Sequence, residues 1–325
     1  MKQKVIHKWI HSAVMIACSS ILIFSMGACG KKDHSEQDAY RQYGITCLEN
    51  GKYEDALTAF QNALDESVGK VGEREIDICF YKAKAQLGSG DTTGALETYN
   101  VIIDYNKDAR AYYLRGNLYF DQGKDEEACA DYQQAMKKSP KNYELYIGIY
   151  QSMKDHDMEA EGQKVLNQAL EIKGDKPEDA LYKGRICYLL NDTENAISYL
   201  TKAKEGEIPL ASYYLALTYE QGGEPQKAKA CVKEYLDSGT ATSYDLYELG
   251  SNEMEQEDYE EALTYFNAAL AMEEVPNRQS LMKGAIAAYE HSGDFASAKK
   301  MMKDYLSKYP SDEDAKREST FLETR

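Results

Sequence analysis

Between Arg115 and Pro140 the chain reads RGNLYFDQGKDEEACADYQQAMKKSP, and the order of small, large and turn-forming residues in this stretch decides the fold. Gly116 and Ala128 are small, Tyr119 and Tyr132 are large, Gly123 stands between the two halves, and Ala135 and Pro140 follow. Apolar residues three and four apart on either side of a central glycine describe two amphipathic helices joined by a tight turn. Gly123 ends the first helix, because a left-handed backbone costs glycine almost nothing. Small residues at 116 and 128 let the two helices approach closely, and the rings fill the space left over.

The same frame recurs along the chain. Tyr43, Gly44, Gly51, Tyr53, Ala56, Phe60 and Ala63 repeat it, as do Ala83, Gly90, Ala95 and Tyr99. Gly184, Ala196, Leu200 and Ala203 follow, then Ala216, Gly223, Ala228 and Tyr235. Gly250, Tyr259, Ala262, Phe266 and Ala269 give another copy, and Tyr289, Gly293, Phe295, Ala298, Tyr305 and Pro310 the last. An eighth copy lies between Tyr143 and Leu170, where Gly148 and Ala169 fit if two residues are inserted in the turn near His156. Gly51 and Gly90 are 39 residues apart, and Glu66 to Arg74 read as an inserted surface loop.

These residues resemble the tetratricopeptide repeat, with Gly or Ala at its eighth position, Ala at the twentieth, an aromatic at the twenty-fourth, Ala at the twenty-seventh and Pro at the thirty-second. The resemblance covers nearly everything from Asp38 to Ser311. It implies an all-α fold, a right-handed superhelical solenoid of about eight helical hairpins over residues 38–312, the fourth irregular. One hairpin cannot bury its own large residues, so stacking is obligatory. The charged segment 313–325 is expected as a C-terminal cap or tail.

Composition excludes several functions. A length of 325 residues with 43% hydrophobic residues suits a repeat array better than one compact core. The formal charge is −17, and beyond Ala28 the chain has 35 basic against 55 acidic residues, the basic ones diluted among carboxylates. Nucleic acid is therefore not an expected partner, since phosphate binding needs clustered Lys and Arg. The seven cysteines include no pair two residues apart, so a zinc ribbon or redox pair is not supported, and no metal or cofactor is expected.

The N-terminus has the order of an export signal. Lys2, Lys4 and Lys8 precede an apolar stretch from Ser12 to Met26, and Gly27-Ala28-Cys29-Gly30 supply small residues for cleavage. Met26-Gly27-Ala28-Cys29 resembles the lipobox of bacterial lipoproteins, with Met26 where Leu is usual. That resemblance implies a signal peptide over 1–28, a lipidated Cys29, and a polar tether over 29–37. Two acyl chains anchor stably because each buried methylene contributes about 0.8 kcal/mol. The expected location is the cell envelope, lipid-anchored to the extracytoplasmic face of a bacterial membrane.

In the resembling family, first helices build a concave wall that binds extended or helical peptides. Positions five and twelve of the repeats give Phe80, Tyr113, Phe120, Leu181, Tyr188, Tyr213 and Tyr247 as candidate groove lining, with Asn117 beside them. The same positions also pack against the next repeat. The family's carboxylate clamp is not matched: Arg41 and Arg110 occupy its basic positions, but Ile45, Tyr81 and Leu114 replace the rest.

Catalytic signals are thin. His34, His156 and His291 lack spaced nucleophile partners and read as solvated. Asp155 to Glu159 lacks the Gly and terminal Glu of a calcium loop, and Gly88 to Gly94 lacks the Lys of a phosphate loop. The expected function is a lipid-anchored adaptor, not an enzyme, holding a protein or peptide in a tyrosine-rich groove within envelope assembly, secretion or pilus machinery. The alternative is a surface glycan-binding accessory lipoprotein, against which the absence of Trp after Trp9 weighs.

Overall fold

The computed structural model describes residues 34–67 and 71–325, which contain seventeen α-helices and no strand. The proposed signal peptide, Cys29 and the start of the tether lie outside the described residues. The chain divides into two units, one ending at Asp175 and the other beginning at Lys176. In the first unit, α1 (Ser35–Glu49) pairs with α2 (Tyr53–Asp65), α3 (Glu73–Ser89) with α4 (Thr92–Asn106), α5 (Ala109–Asp121) with α6 (Asp125–Lys138), and α7 (Tyr143–Asp155) with α8 (Glu159–Leu170). The second unit holds α9 (Pro177–Leu189) with α10 (Thr193–Glu205), α11 (Leu210–Gln221) with α12 (Pro225–Asp237), α13 (Ser243–Glu255) with α14 (Tyr259–Leu270), and α15 (Arg278–His291) with α16 (Phe295–Lys308). A last helix, α17 (Glu313–Leu322), packs on α16.

Many of the helices start and stop for local reasons. Asp91, Asp192, Asp258 and Asp294 accept a hydrogen bond from the backbone N–H three residues on, at the start of four second helices. Such caps contribute about 1 kcal/mol each. Pro225 and Pro177 occupy first helical positions, where no N–H is needed. Gly51, Gly90, Gly123, Gly223 and Gly293 close their first helices at φ of 70 to 87°. The other three hairpin turns reach the same left-handed conformation without glycine, at Asp157, Asn191 and Glu257, with φ of 61, 59 and 62°.

Packing within four of the hairpins shows the small–large pattern directly. A methyl on Gly44 would stand 2.6 Å from the Phe60 ring, one on Gly116 2.7 Å from Tyr132, one on Gly184 2.5 Å from Leu200, and one on Gly250 2.6 Å from Phe266. The rings of Phe60, Tyr132 and Phe266 thus lie where the missing side chains leave room, all at most 1% exposed.

The fourth hairpin corrects the expectation of an inserted turn. Three residues, His156 to Met158, separate α7 from α8, just as Gln122 to Lys124 separate α5 from α6. In this frame the eighth position is Tyr150, not Gly148, and the twentieth is Gly162. Large and small have changed places. A methyl on Gly162 would meet the Tyr150 ring at 3.0 Å, so the glycine in the second helix makes room for the tyrosine in the first. The hairpin is regular, with its packing pair inverted.

The inserted connection is shorter than Glu66 to Arg74, because α3 already begins at Glu73; residues 68–70 lie outside the described residues. Glu75, 7% exposed, gathers the connection: it accepts from Gln37 Nε2 at 3.0 Å, Ser67 Oγ at 2.9 Å and the Gly72 N–H at 2.7 Å. Burial alone would raise the Glu75 carboxyl, but these donors outweigh it and hold it below its ordinary value.

A candidate partner-binding face on the first helices

Positions five and twelve of the first helices do not form one uniform lining. Tyr113, Asn117, Phe120, Leu181 and Tyr213 are buried, from 2 to 8% exposed, so the expectation that they present a groove surface is corrected. Their surroundings give the reason. The Tyr113 and Phe120 rings lie 5.9 and 5.5 Å from the Tyr132 ring, and Tyr213 lies 5.5 Å from Tyr235. Tyr132 donates to Asn117 Oδ1 at 2.5 Å and shares a 2.6 Å hydrogen bond with Ser152 Oγ in the next hairpin. These side chains fill the seams within and between hairpins, and burial pushes the phenols of Tyr113, Tyr132 and Tyr213 upward, keeping them neutral.

Phe80, Tyr188 and Tyr247 are the candidates that remain half-exposed. Phe80, on α3, carries the Arg110 guanidinium 4.4 Å above its ring centre and packs 6.3 Å from Tyr99. Tyr247, on α13, lies 6.0 Å from the buried Phe266 ring. Tyr188, on α9, stands in the second unit with Arg185, whose guanidinium lies 5.4 Å from the Tyr214 ring. The repeat positions five and twelve leave Arg185 and Tyr214 out. The signal was available: Arg41 and Tyr81 repeat the same partnership one hairpin apart, at 5.1 Å, with Arg41 also paired to Asp77 at 2.6 Å. An arginine stacked on an aromatic ring is held in orientation.

The histidine expected to be solvated at the fourth turn is not. His156 stacks on Phe120 with ring centres 4.9 Å apart, its Nδ1 lies 2.9 Å from the Ser152 carbonyl oxygen, and its Nε2 lies 3.6 Å from Asp121. It therefore buttresses the seam between the third and fourth hairpins. His291 is exposed and stacks on Tyr259 at 5.2 Å.

The second unit holds an acidic seam. Glu253, 6% exposed on α13, is pushed up to about 7, chiefly by burial and then by Glu220, Asp258 and Glu261. Burial also raises Glu220. Among the described residues no three His, Cys, Asp or Glu side chains are grouped to hold a metal ion. Cys47, Cys79, Cys129, Cys187 and Cys231 are free and buried or half-buried, behaving as small apolar residues.

Comparison with known proteins agrees with the hairpin architecture. A family model for the tetratricopeptide repeat matches residues 109–142, and a second model of the same description matches residues 253–317. Among curated proteins the chain is similar to DnaJ homolog subfamily C member 3 of Gallus gallus, 26% identical over 238 residues, and to that of Homo sapiens, 26% identical over 241 residues. The matches cover 71% of this chain and 43% of each relative, so the chain spans less than half the length of these proteins. Similar solved structures include a tetratricopeptide repeat protein from Parabacteroides merdae, at a TM-score of 0.49 and 14% identity, covering 78% of this chain and 98% of that one. PilW, a type IV pilus biogenesis factor, aligns at a TM-score of 0.43 and 21% identity over 64% of this chain and 97% of that one.

Proposed function

We propose that this chain, a tetratricopeptide repeat protein, is a scaffold held at the extracytoplasmic face of a bacterial membrane by lipid on Cys29, where its first-helix faces hold a protein or peptide partner. Protein–protein interaction is the role that such repeats support. The observation that carries the finer reading is the contrast along the first helices. Most predicted lining residues are consumed by packing, while Phe80, Tyr188 and Tyr247 stay half-exposed, Phe80 against the Tyr99 ring and Tyr247 against the Phe266 ring. Aromatic side chains held in this way contribute contact area at little entropic cost. Among the described residues no helix is long and apolar enough to cross a membrane.

The test is affinity purification after crosslinking in cells, comparing the unaltered protein with a variant carrying Phe80→Ala, Tyr188→Ala and Tyr247→Ala. A partner enriched with the unaltered chain and lost from a folded variant supports the scaffold. Equal recovery of every partner with both proteins overturns the assignment of the face. Metabolic labelling with a fatty acid, retained by the protein and lost in Cys29→Ala, tests the anchor separately.

A further inference from the structure

Among the described residues, no other helix covers one edge of the first helix of the array. In later hairpins of the first unit, the residues meeting the preceding second helix are Ile78 and Ala85, Ala111 and Leu118, and Leu145 and Ser152, all buried. Their counterparts in α1 are Ala39 and Thr46, both exposed. Beside them stand Tyr40 and Tyr43, one helical turn apart and 38 and 57% exposed, two of the few exposed large apolar side chains among the described residues. A solenoid normally shields such a terminal edge with a polar capping element. At the other end α17 does so, burying Ala315 and Leu322 against Met302 and Tyr305.

We infer that the open edge of α1, through Tyr40 and Tyr43, rests on the headgroup layer of the phospholipid bilayer to which the chain is anchored. The inference rests on the lipid anchor proposed above and adds to it an orientation. Cys29 precedes the first residue of α1 by six positions, and a fully extended chain of that length spans only roughly 20 Å. A lipidated Cys29 therefore leaves the α1 edge no way to move far from the membrane surface. Tyrosine suits that layer, because its ring enters the apolar boundary while its hydroxyl stays among polar headgroups. The contact needs little intrinsic affinity, since a short tether holds the edge at an effective concentration on the order of millimolar. Lys31 and Lys32 follow the anchor in the sequence. Glu36 is exposed near the edge and Asp38 is engaged by Arg74, so net attraction to anionic lipid is weak and the aromatic pair carries the contact.

The experiment uses the full, acylated protein in phosphatidylcholine vesicles. Tyr43→p-benzoylphenylalanine, or Gln61→p-benzoylphenylalanine on the exposed face of α2 as control, is irradiated and searched for phospholipid adducts by mass spectrometry, with circular dichroism checking that both fold. The expected result is a lipid adduct at position 43 in severalfold excess over position 61. Vesicle-bound, acylated protein without that excess, or with adducts between two copies of the chain at position 43, overturns the orientation and leaves the anchor standing. Protein that carries no acyl group on Cys29 and does not float with vesicles overturns the anchor, and the orientation falls with it.

Discussion

Glu257 holds a backbone conformation that side chains disfavour, φ 62°, in a turn where five of its seven counterparts are glycine. The left-handed conformation costs a non-glycine residue about 1–2 kcal/mol, partly offset by the lower entropy of its unfolded chain. Glu257→Gly is therefore expected to stabilise the protein by roughly 0.5–1 kcal/mol, read as a raised urea midpoint. Asn191→Gly should change it by a few tenths only, because asparagine tolerates this conformation. Glu253 gives the complementary case of a side chain under strain. Its pKa, raised to about 7 in the folded protein, means the native state keeps a proton that the unfolded chain releases near 4.5. The stability tied to that proton is fully present below about pH 4.5 and is lost as pH rises through 7. Glu253→Gln should match the unaltered protein at pH 4.5 and exceed it by on the order of 1–3 kcal/mol at pH 8, in paired denaturation curves.

At the scale of the hairpin, stability depends on glycines whose missing side chain is another residue's space. Gly116→Ala places a methyl 2.7 Å from Tyr132, whose hydroxyl is already committed to Asn117 and Ser152 and cannot shift freely. A cost of roughly 1–3 kcal/mol is expected, with chemical shift changes on both sides of the seam between the third and fourth hairpins. What sequence could and could not reveal divides along the same line. Turn glycines at 51, 90, 123, 223 and 293 were legible because few other residues take that backbone cheaply. Asp157 and Asn191 carry a weaker sign, since Asp and Asn only tolerate that conformation, and Glu257 carries none. The fourth hairpin misled because a small–large pair read from positions alone has no meaning until the facing residue is known. Tyr150 fits only because Gly162 lies opposite, twelve residues away. The candidate face was half legible for a related reason: Tyr113 and Tyr247 occupy equivalent positions, and burial of one and partial exposure of the other depend on neighbouring hairpins.

For the chain as a whole, the ends of the array matter more than any one repeat. Asp312 fastens the last helix: it accepts from Lys283 Nζ and Tyr305 Oη, both at 2.6 Å, and caps the Ala315 N–H at 3.1 Å. Hydrogen bonds from Lys283 and Tyr305 hold its carboxyl well below the ordinary carboxylate range. Its stabilising share is present above about pH 4 and disappears as pH falls through that depressed value. Asp312→Ala is expected to cost roughly 2–4 kcal/mol locally and to speed amide exchange throughout α17 at neutral pH. Exchange in α1 should be unaffected, because stability in a repeat array is passed between neighbours. A uniform rise across every helix would show instead that the array opens as one body.

The inverted pair in the fourth hairpin sets a rule for rebuilding the array. A first helix bearing Tyr150 cannot be joined to a second helix of the α6 kind, where Ala128 and Tyr132 already occupy the room it needs. The reverse graft would set Gly116 against Leu166 and Gly162, exchanging the Tyr132 ring for a leucine and the Ala128 methyl for nothing, and so underfill the seam. Chimeras cut between α7 and α8 should therefore fail where chimeras cut at hairpin boundaries fold. The exchangeable unit of this chain is the matched pair of helices, and recombination between its own repeats is confined to those joints.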